Sequence, residues 1–180
     1  MKIVHIAECA GGVDRYLEML LPRLKDEFLQ VFICSHNFNV EKYQSMVENV
    51  EQIDLEQSFS PVKISQQVRH IRALLKKYRP DVVYCHSSFA GGLGRLAAKG
   101  LKCKIVYNPH GWAFNIRGSK AIAYKFIERM LASFTDKIVC ISKAEYMSAV
   151  KNGIDDGKKL QVIENGIKVE AVVNAKPIGR

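Results

Sequence analysis

Short apolar runs alternate with longer segments of helical period along the whole chain, and this alternation narrows the possible folds more than any other feature. Residues 2–7 form a β-branched run that stops at Ala10-Gly11-Gly12. Val13, Tyr16, Leu17, Leu20, Leu21 and Leu24 then share one helical face, since positions three and four apart are neighbours on a helix. Further strands are predicted at 30–35, 50–55, 82–85, 104–108, 137–141 and 161–163. Ser60-Pro61 opens a helix with the stripe Ile64, Val68, Ile71, Leu75 and Tyr78, and Pro80 stops it. Helices are also predicted over 91–99 and 120–133, and Ser142-Lys143-Ala144-Glu145 has the form of a capping box.

Strands and helices in strict alternation imply parallel strands joined by crossover helices. The strands are near-continuous apolar runs, as required when both sheet faces are covered. The expected fold is therefore α/β: a doubly wound, mostly parallel sheet of about six to seven strands with helices on both faces, Rossmann-like. Such sheets bind ligands beyond the carboxyl ends of their strands, where the order of connection reverses. In this sequence those ends carry residues 8–12, His36, His86-Ser87-Ser88, His110-Gly111-Trp112 and Ser142, so three of the five histidines fall on one edge. Gly11-Gly12 ahead of a helix would let backbone amides approach a phosphate, although a tight strand–helix turn needs glycine equally. The dinucleotide fingerprint G-x-G-x-x-G and the P-loop G-K-[ST] are both absent, and His36 stands where a ribose-binding acid would be. Gly91-Gly92-Leu93-Gly94 is accounted for by close helix–sheet packing.

Five segments in order carry a family resemblance. They are the strand and glycine pair of 3–12, Pro80-Asp81-Val82-Val83-Tyr84-Cys85-His86-Ser87, Tyr107-Asn108-Pro109-His110-Gly111, Lys137-Ile138-Val139-Cys140-Ile141-Ser142 and Val162-Ile163-Glu164-Asn165-Gly166-Ile167. Together they resemble the N-terminal domain of family 4 glycosyltransferases, retaining enzymes of the GT-B fold. The resemblance implies that Gly11, Gly12 and Val13 form the loop at the donor diphosphate and acceptor. It also implies that His110 is the catalytic histidine facing the transferred sugar. His86, Ser87, Gly111, Ser142, Asn165 and Gly166 become candidates for lining the cleft. Lys168 departs from the acidic residue often found there. The family's donor-binding domain, with its paired glutamates, has no counterpart; Glu48 and Glu56 match that spacing but lack the glycine context. Residues 1–168 are thus expected to form an acceptor-side domain, and 169–180 the start of a linker toward an absent donor-binding domain.

Charge and cysteine usage bound the partners. The formal net charge is +9, favouring anionic partners. Arg69, Arg72, Lys76, Lys77 and Arg79 lie on one predicted helix and are candidates for contact with an anionic membrane. No helix-turn-helix, RNP or zinc pattern supports a nucleic-acid partner. Five cysteines without C-x-x-C spacing suggest reduced, buried thiols and no structural metal. With no apolar stretch approaching roughly 20 residues, a cytoplasmic chain, peripheral to a membrane at most, is expected. The expected function is the acceptor-binding half of a retaining glycosyltransferase, inactive alone, using a nucleotide sugar and a glycan or lipid-linked acceptor and no cofactor. The alternative is a standalone Rossmann- or flavodoxin-like nucleotide-binding module.

Overall fold

The structure, a computed structural model, describes residues 1–166; Lys168 and the expected linker over 169–180 lie outside them. Seven strands form one sheet: β1 (Lys2–Ala7), β2 (Leu29–Cys34), β3 (Asn49–Gln52), β4 (Val82–His86), β5 (Lys104–Asn108), β6 (Lys137–Cys140) and β7 (Leu160–Val162). Their order is β3-β2-β1-β4-β5-β6-β7 and every pair is parallel. The order of connection reverses between β1 and β4, which puts the switch point at the middle of the sheet. Six helices complete the alternation: α1 (Gly12–Leu24), α2 (Val40–Gln44), α3 (Pro61–Tyr78), α4 (Ser88–Ala98), α5 (Lys120–Ala132) and α6 (Lys143–Lys151). Right-handed crossovers place α1 and α2 on one face and α3 to α6 on the other. The buried clusters follow this division: Val13, Leu17 and Leu21 meet Ala7, Phe32 and Cys34, while Ile71, Leu75, Leu93 and Ala97 meet Val4, Ile6 and Val83.

Three local features depart from expectation. The third strand spans 49–52 where 50–55 was expected, because it is an edge strand paired only with β2. Ile53 and Leu55 are still buried, packed with the α3 side as part of the connection. Residues 40–44, expected as loop, form α2; Asn39 caps it by accepting from the Glu41 amide at 3.0 Å, and Tyr43 packs against Phe32 and Phe38. The fourth helix starts at Ser88 instead of 91, so its glycines lie within it. They allow close approach, as expected: a Cβ on Gly94 would sit 2.6 Å from Cys85 Sγ, and one on Gly91 would overlap the Tyr107 ring.

The serine half of the capping box at α6 is present, with Ser142 Oγ accepting from the Glu145 amide at 3.2 Å, while the Glu145 carboxylate reaches one residue further back, accepting from the Ile141 amide at 2.8 Å. All five cysteines are free, with Cys34, Cys85 and Cys140 buried in strands. Arg95 is fully buried on α4, its guanidinium 3.6 Å from the Tyr107 ring centroid. It pairs with Glu128 of α5 at 2.9 Å, and the Tyr107 hydroxyl donates to the same carboxylate at 3.0 Å. One polar knot thus ties α4, α5 and β5 together.

Candidate active site at the carboxyl edge of the sheet

Each strand approaching the switch point ends in a residue that turns the chain at the same edge. After β1, Glu8 is buried and Gly11 takes φ 80°, a left-handed conformation that glycine adopts without a Cβ penalty. Gly12 begins α1 with open space where a side chain would stand. Gly11 and Gly12 are exposed, whereas Val13 is buried among Leu17, Phe32 and Cys34 and anchors the loop from beneath. After β4, Ser87 has φ 64°, and after β5, His110 has φ 50° followed by Gly111 at 106°. Two non-glycine residues in this sparsely populated region at one edge are costly, on the order of 1–3 kcal/mol each, and such strain concentrates at functional sites.

The Glu8 carboxylate accounts for Ser87. It accepts from the Ser87 hydroxyl, from the Ala90 amide at the start of α4 (3.4 Å) and from Gln57 Nε2 (2.7 Å). Its backbone carbonyl also accepts from Ser35 Oγ and Asn37 Nδ2, so one residue joins the loops after β1, β2 and β4. Sequence reasoning placed Glu8 at this edge without giving it a role. A lone acid between Ala7 and Cys9 carries no local signal, since its three partners are distant in sequence. Ser87 is committed to Glu8, which limits its part in lining a cleft.

The histidines are brought together, but at different depths. His110 is partly exposed, with its amide held by Asn108 Oδ1 at 3.1 Å. His86 is fully buried behind it, with Nδ1 3.2 Å from His110 Nε2, so it can meet a ligand only through His110. His5, in the middle of β1, continues the row: Nδ1 lies 3.4 Å from His86 Nε2, and Nε2 lies 3.2 Å from Gln30 Oε1. Tyr16 of α1 packs edge-on to the His110 ring at 4.7 Å, and its hydroxyl meets that of Tyr84 at 2.9 Å. Burial lowers the pKa of both His5 and His110 to about 4. His86 is lowered well below its ordinary value by burial first and then by its two histidine neighbours. The row is neutral at neutral pH. His36, the other histidine expected at this edge, is exposed on the far side and pairs with Asp54 at 3.0 Å.

A hollow of about 500 Å³ lies at the ends of β1 to β3, with Glu8, His36, Asp54 and Glu56 in its wall. It does not coincide with the row His5, His86 and His110; the strand order puts the Gly11-Gly12 turn between them. Glu8 is already committed to its three donors, but Asp54 and Glu56 are exposed at the rim, and carboxyl groups there disfavour a phosphate and suit a ligand rich in hydroxyl donors. Ser142 caps α6 at the end of β6, and Asn165 and Gly166 follow β7 in exposed positions.

The basic residues of α3 fall elsewhere. The helix runs back toward the strand beginnings, where Lys2 Nζ donates to the Tyr78 carbonyl and the Asp81 amide to the Lys2 carbonyl. Lys76, Lys77 and Arg79 are therefore at the edge opposite His110. Arg72 is occupied by the carbonyls of Ala97 and Lys99 at 2.7 and 2.8 Å, and Lys77 pairs with Glu51 at 2.7 Å. Arg69, Lys76 and Arg79 are exposed. Among the described residues, no helix is long and apolar enough to cross a membrane.

A doubly wound parallel sheet with its polar site at the switch-point edge defines a Rossmann-like ligand-binding domain of the kind found in GT-B enzymes. Residues 10–171 match Glycosyltransferase Family 4, and the chain belongs to that family. It is similar to an Escherichia coli protein named UDP-Gal:alpha-D-GlcNAc-diphosphoundecaprenol alpha-1,3-galactosyltransferase, 34% identical over 94% of this chain and 46% of the relative. An uncharacterized 41.2 kDa protein from the cps region of Klebsiella pneumoniae is 32% identical over 94% of this chain and 48% of its own length. The chain spans about half the length of these two relatives. Among solved structures, a glycosyltransferase from Rickettsia africae superposes with a TM-score of 0.75 at 22% identity, covering 98% of this chain and 46% of that one.

Proposed function

We propose that this chain is the acceptor-binding half of a retaining glycosyltransferase that moves a sugar from a nucleotide-sugar donor to a glycan or lipid-linked acceptor in surface polysaccharide or glycolipid synthesis. The observation that carries this reading is the edge itself: the exposed Gly11-Gly12 turn stands between a neutral histidine, His110, and a hollow rimmed with carboxyl groups. Amides at the start of α1 suit the negative charge that develops on a departing diphosphate. His110 offers an uncharged hydrogen-bonding ring to the transferred sugar, and the hollow offers acceptors to the hydroxyls of the incoming one. In the reaction, an acceptor oxygen bonds to the anomeric carbon. The bond from that carbon to the diphosphate breaks, and the hydroxyl proton leaves with the departing group or to water. The name of the E. coli relative, a galactosyltransferase acting on a GlcNAc-diphosphoundecaprenol, supports the acceptor class.

The test is to incubate the chain, alone and with the C-terminal half of the E. coli relative supplied as a separate polypeptide, with radiolabelled UDP-galactose and a synthetic GlcNAc-diphospho-lipid. Transfer is expected only with both halves, and His110→Ala should reduce it about 10²-fold without loss of folding. No transfer in either case, together with thermal stabilisation by a flavin or nicotinamide nucleotide, would make the chain a nucleotide-binding module instead.

We also propose that the protein works against an anionic membrane surface. The exposed cations of α3 support this, and so does a row on α5, Ile122, Phe126 and Met130, which is exposed and begins beside Arg117 and Lys120. Apolar and basic side chains presented together are the composition of an interfacial helix.

A further inference from the structure

The row of imidazoles that ends at His110 has a direction, and that direction is decided at the opposite end of the row. Gln30 Nε2 lies 2.9 Å from the Leu21 carbonyl in the last turn of α1, where helix carbonyls lack partners along the helix. A carbonyl only accepts, so the amide nitrogen of Gln30 must face Leu21 and its oxygen must face His5. His5 Nε2, 3.2 Å from that oxygen, must then carry the ring proton. In a neutral imidazole the other nitrogen is an acceptor. His5 Nδ1 therefore receives the proton of His86 Nε2, which leaves His86 Nδ1 to receive the proton of His110 Nε2. His110 Nδ1, which makes no hydrogen bond to any described residue, is left with its lone pair.

We propose that Gln30, His5 and His86 are positioning residues that lock His110 in the Nε2–H tautomer, so that its Nδ1 accepts a hydrogen bond from a ligand hydroxyl and cannot offer one to a phosphate oxygen. This deepens the transferase reading and rests on it only in assigning the hydroxyl to a sugar. The row ends on a backbone carbonyl that can take no proton, so it orients His110 and does not conduct. The neutrality that burial imposes on all three rings is what lets one donor at Gln30 set every link in turn. His110 Nδ1 is also the one ring nitrogen in the row that could gain a proton without turning two donors toward each other.

The experiment is long-range proton–nitrogen correlation NMR on the nitrogen-15-labelled chain at neutral pH, which identifies the protonated nitrogen of each histidine ring. The expected result is Nε2–H on His5, His86 and His110, with an unprotonated Nδ1 on each. A proton on His110 Nδ1 instead of Nε2 would overturn the proposal. Gln30→Met removes the amide at similar length, and should convert His110 from one tautomer to an exchanging mixture. A Gln30→Met protein that remains folded and keeps the wild-type His110 nitrogen shifts would overturn the coupling. Should that variant not fold, His5→Phe interrupts the row one step later and is read by the same two criteria. Absence of sugar transfer alongside the expected tautomers would count against the transferase function and leave the lock standing, whereas transfer with the opposite tautomer would do the reverse.

Discussion

His5 and His110 show how a residue's surroundings convert into a pH dependence. Both have folded pKa values lowered to about 4 by burial, against roughly 6.5 in an unfolded chain. The groups bonded to or packed on the row are Gln30 of β2, Tyr16 of α1, Tyr84 of β4 and Asn108 of β5, none of them a carboxylate. Because the folded values lie below the unfolded one, protonation favours unfolding. The contribution to stability is complete above about pH 6.5 and drains as pH falls toward 4. Each neutral buried histidine should contribute a slope of up to ~1.4 kcal/mol per pH unit in that window. Urea midpoints measured from pH 7 to pH 4.5 should fall more steeply than in a His5→Phe variant; parallel curves would contradict the lowered values.

At the scale of elements, α4 is held close to the sheet through its glycines. Gly94→Ala would bring its methyl to 2.6 Å from Cys85 Sγ and 3.0 Å from Ile6 Cδ1, and should destabilise by about 1–3 kcal/mol through overpacking. Gly92, two residues earlier, faces Leu131 Cδ1 at an ordinary 3.7 Å. Gly92→Ala should therefore be neutral or stabilising by up to ~1 kcal/mol, since alanine favours the helix. Thermal melts of the two variants give opposite signs if α4 packs as described. The Arg95–Glu128 pair joins this helix to α5 with side chains 0% and 5% exposed. Glu128→Ala would strand a buried cation at a cost of about 3–5 kcal/mol, and the loss should show as a large drop in the denaturation midpoint.

For the whole molecule, the polar edge and the α3 cations are at opposite ends of the sheet, and the α5 row runs between those ends. If the acceptor is lipid-linked, as proposed, it would reach the polar edge from the membrane. The contact is therefore expected on α5, with α3 adding charge at longer range. Co-sedimentation with phosphatidylglycerol vesicles should weaken as salt rises. The double change Ile122→Ser, Phe126→Ser should reduce it more than Arg69→Ala with Lys76→Ala. Equal binding by the apolar double variant would remove α5 from the contact.

The sequence by itself determined the class of fold, the all but complete set of elements and the edge on which Glu8, His86 and His110 gather. Those properties follow from local periodicity and from the rule that parallel strands need crossovers, and neither depends on distant contacts. It also marked Gly11, Gly12 and His110 through segments whose order matched a family. What it left unread was set by partners far along the chain. Glu8 acquires its role from Ser87 and Gln57, and Val13 turns inward beneath the loop it was expected to help form. Arg72 turns its Nη1 to the carbonyls of Ala97 and Lys99 at the end of α4. His5 lies in an apolar strand run and Gln30 begins another, so nothing local joins them to His86 and His110. Only the parallel register of β2, β1 and β4 sets Gln30, His5 and His86 on one face, close enough that a single amide can decide the state of His110, three residues along the row.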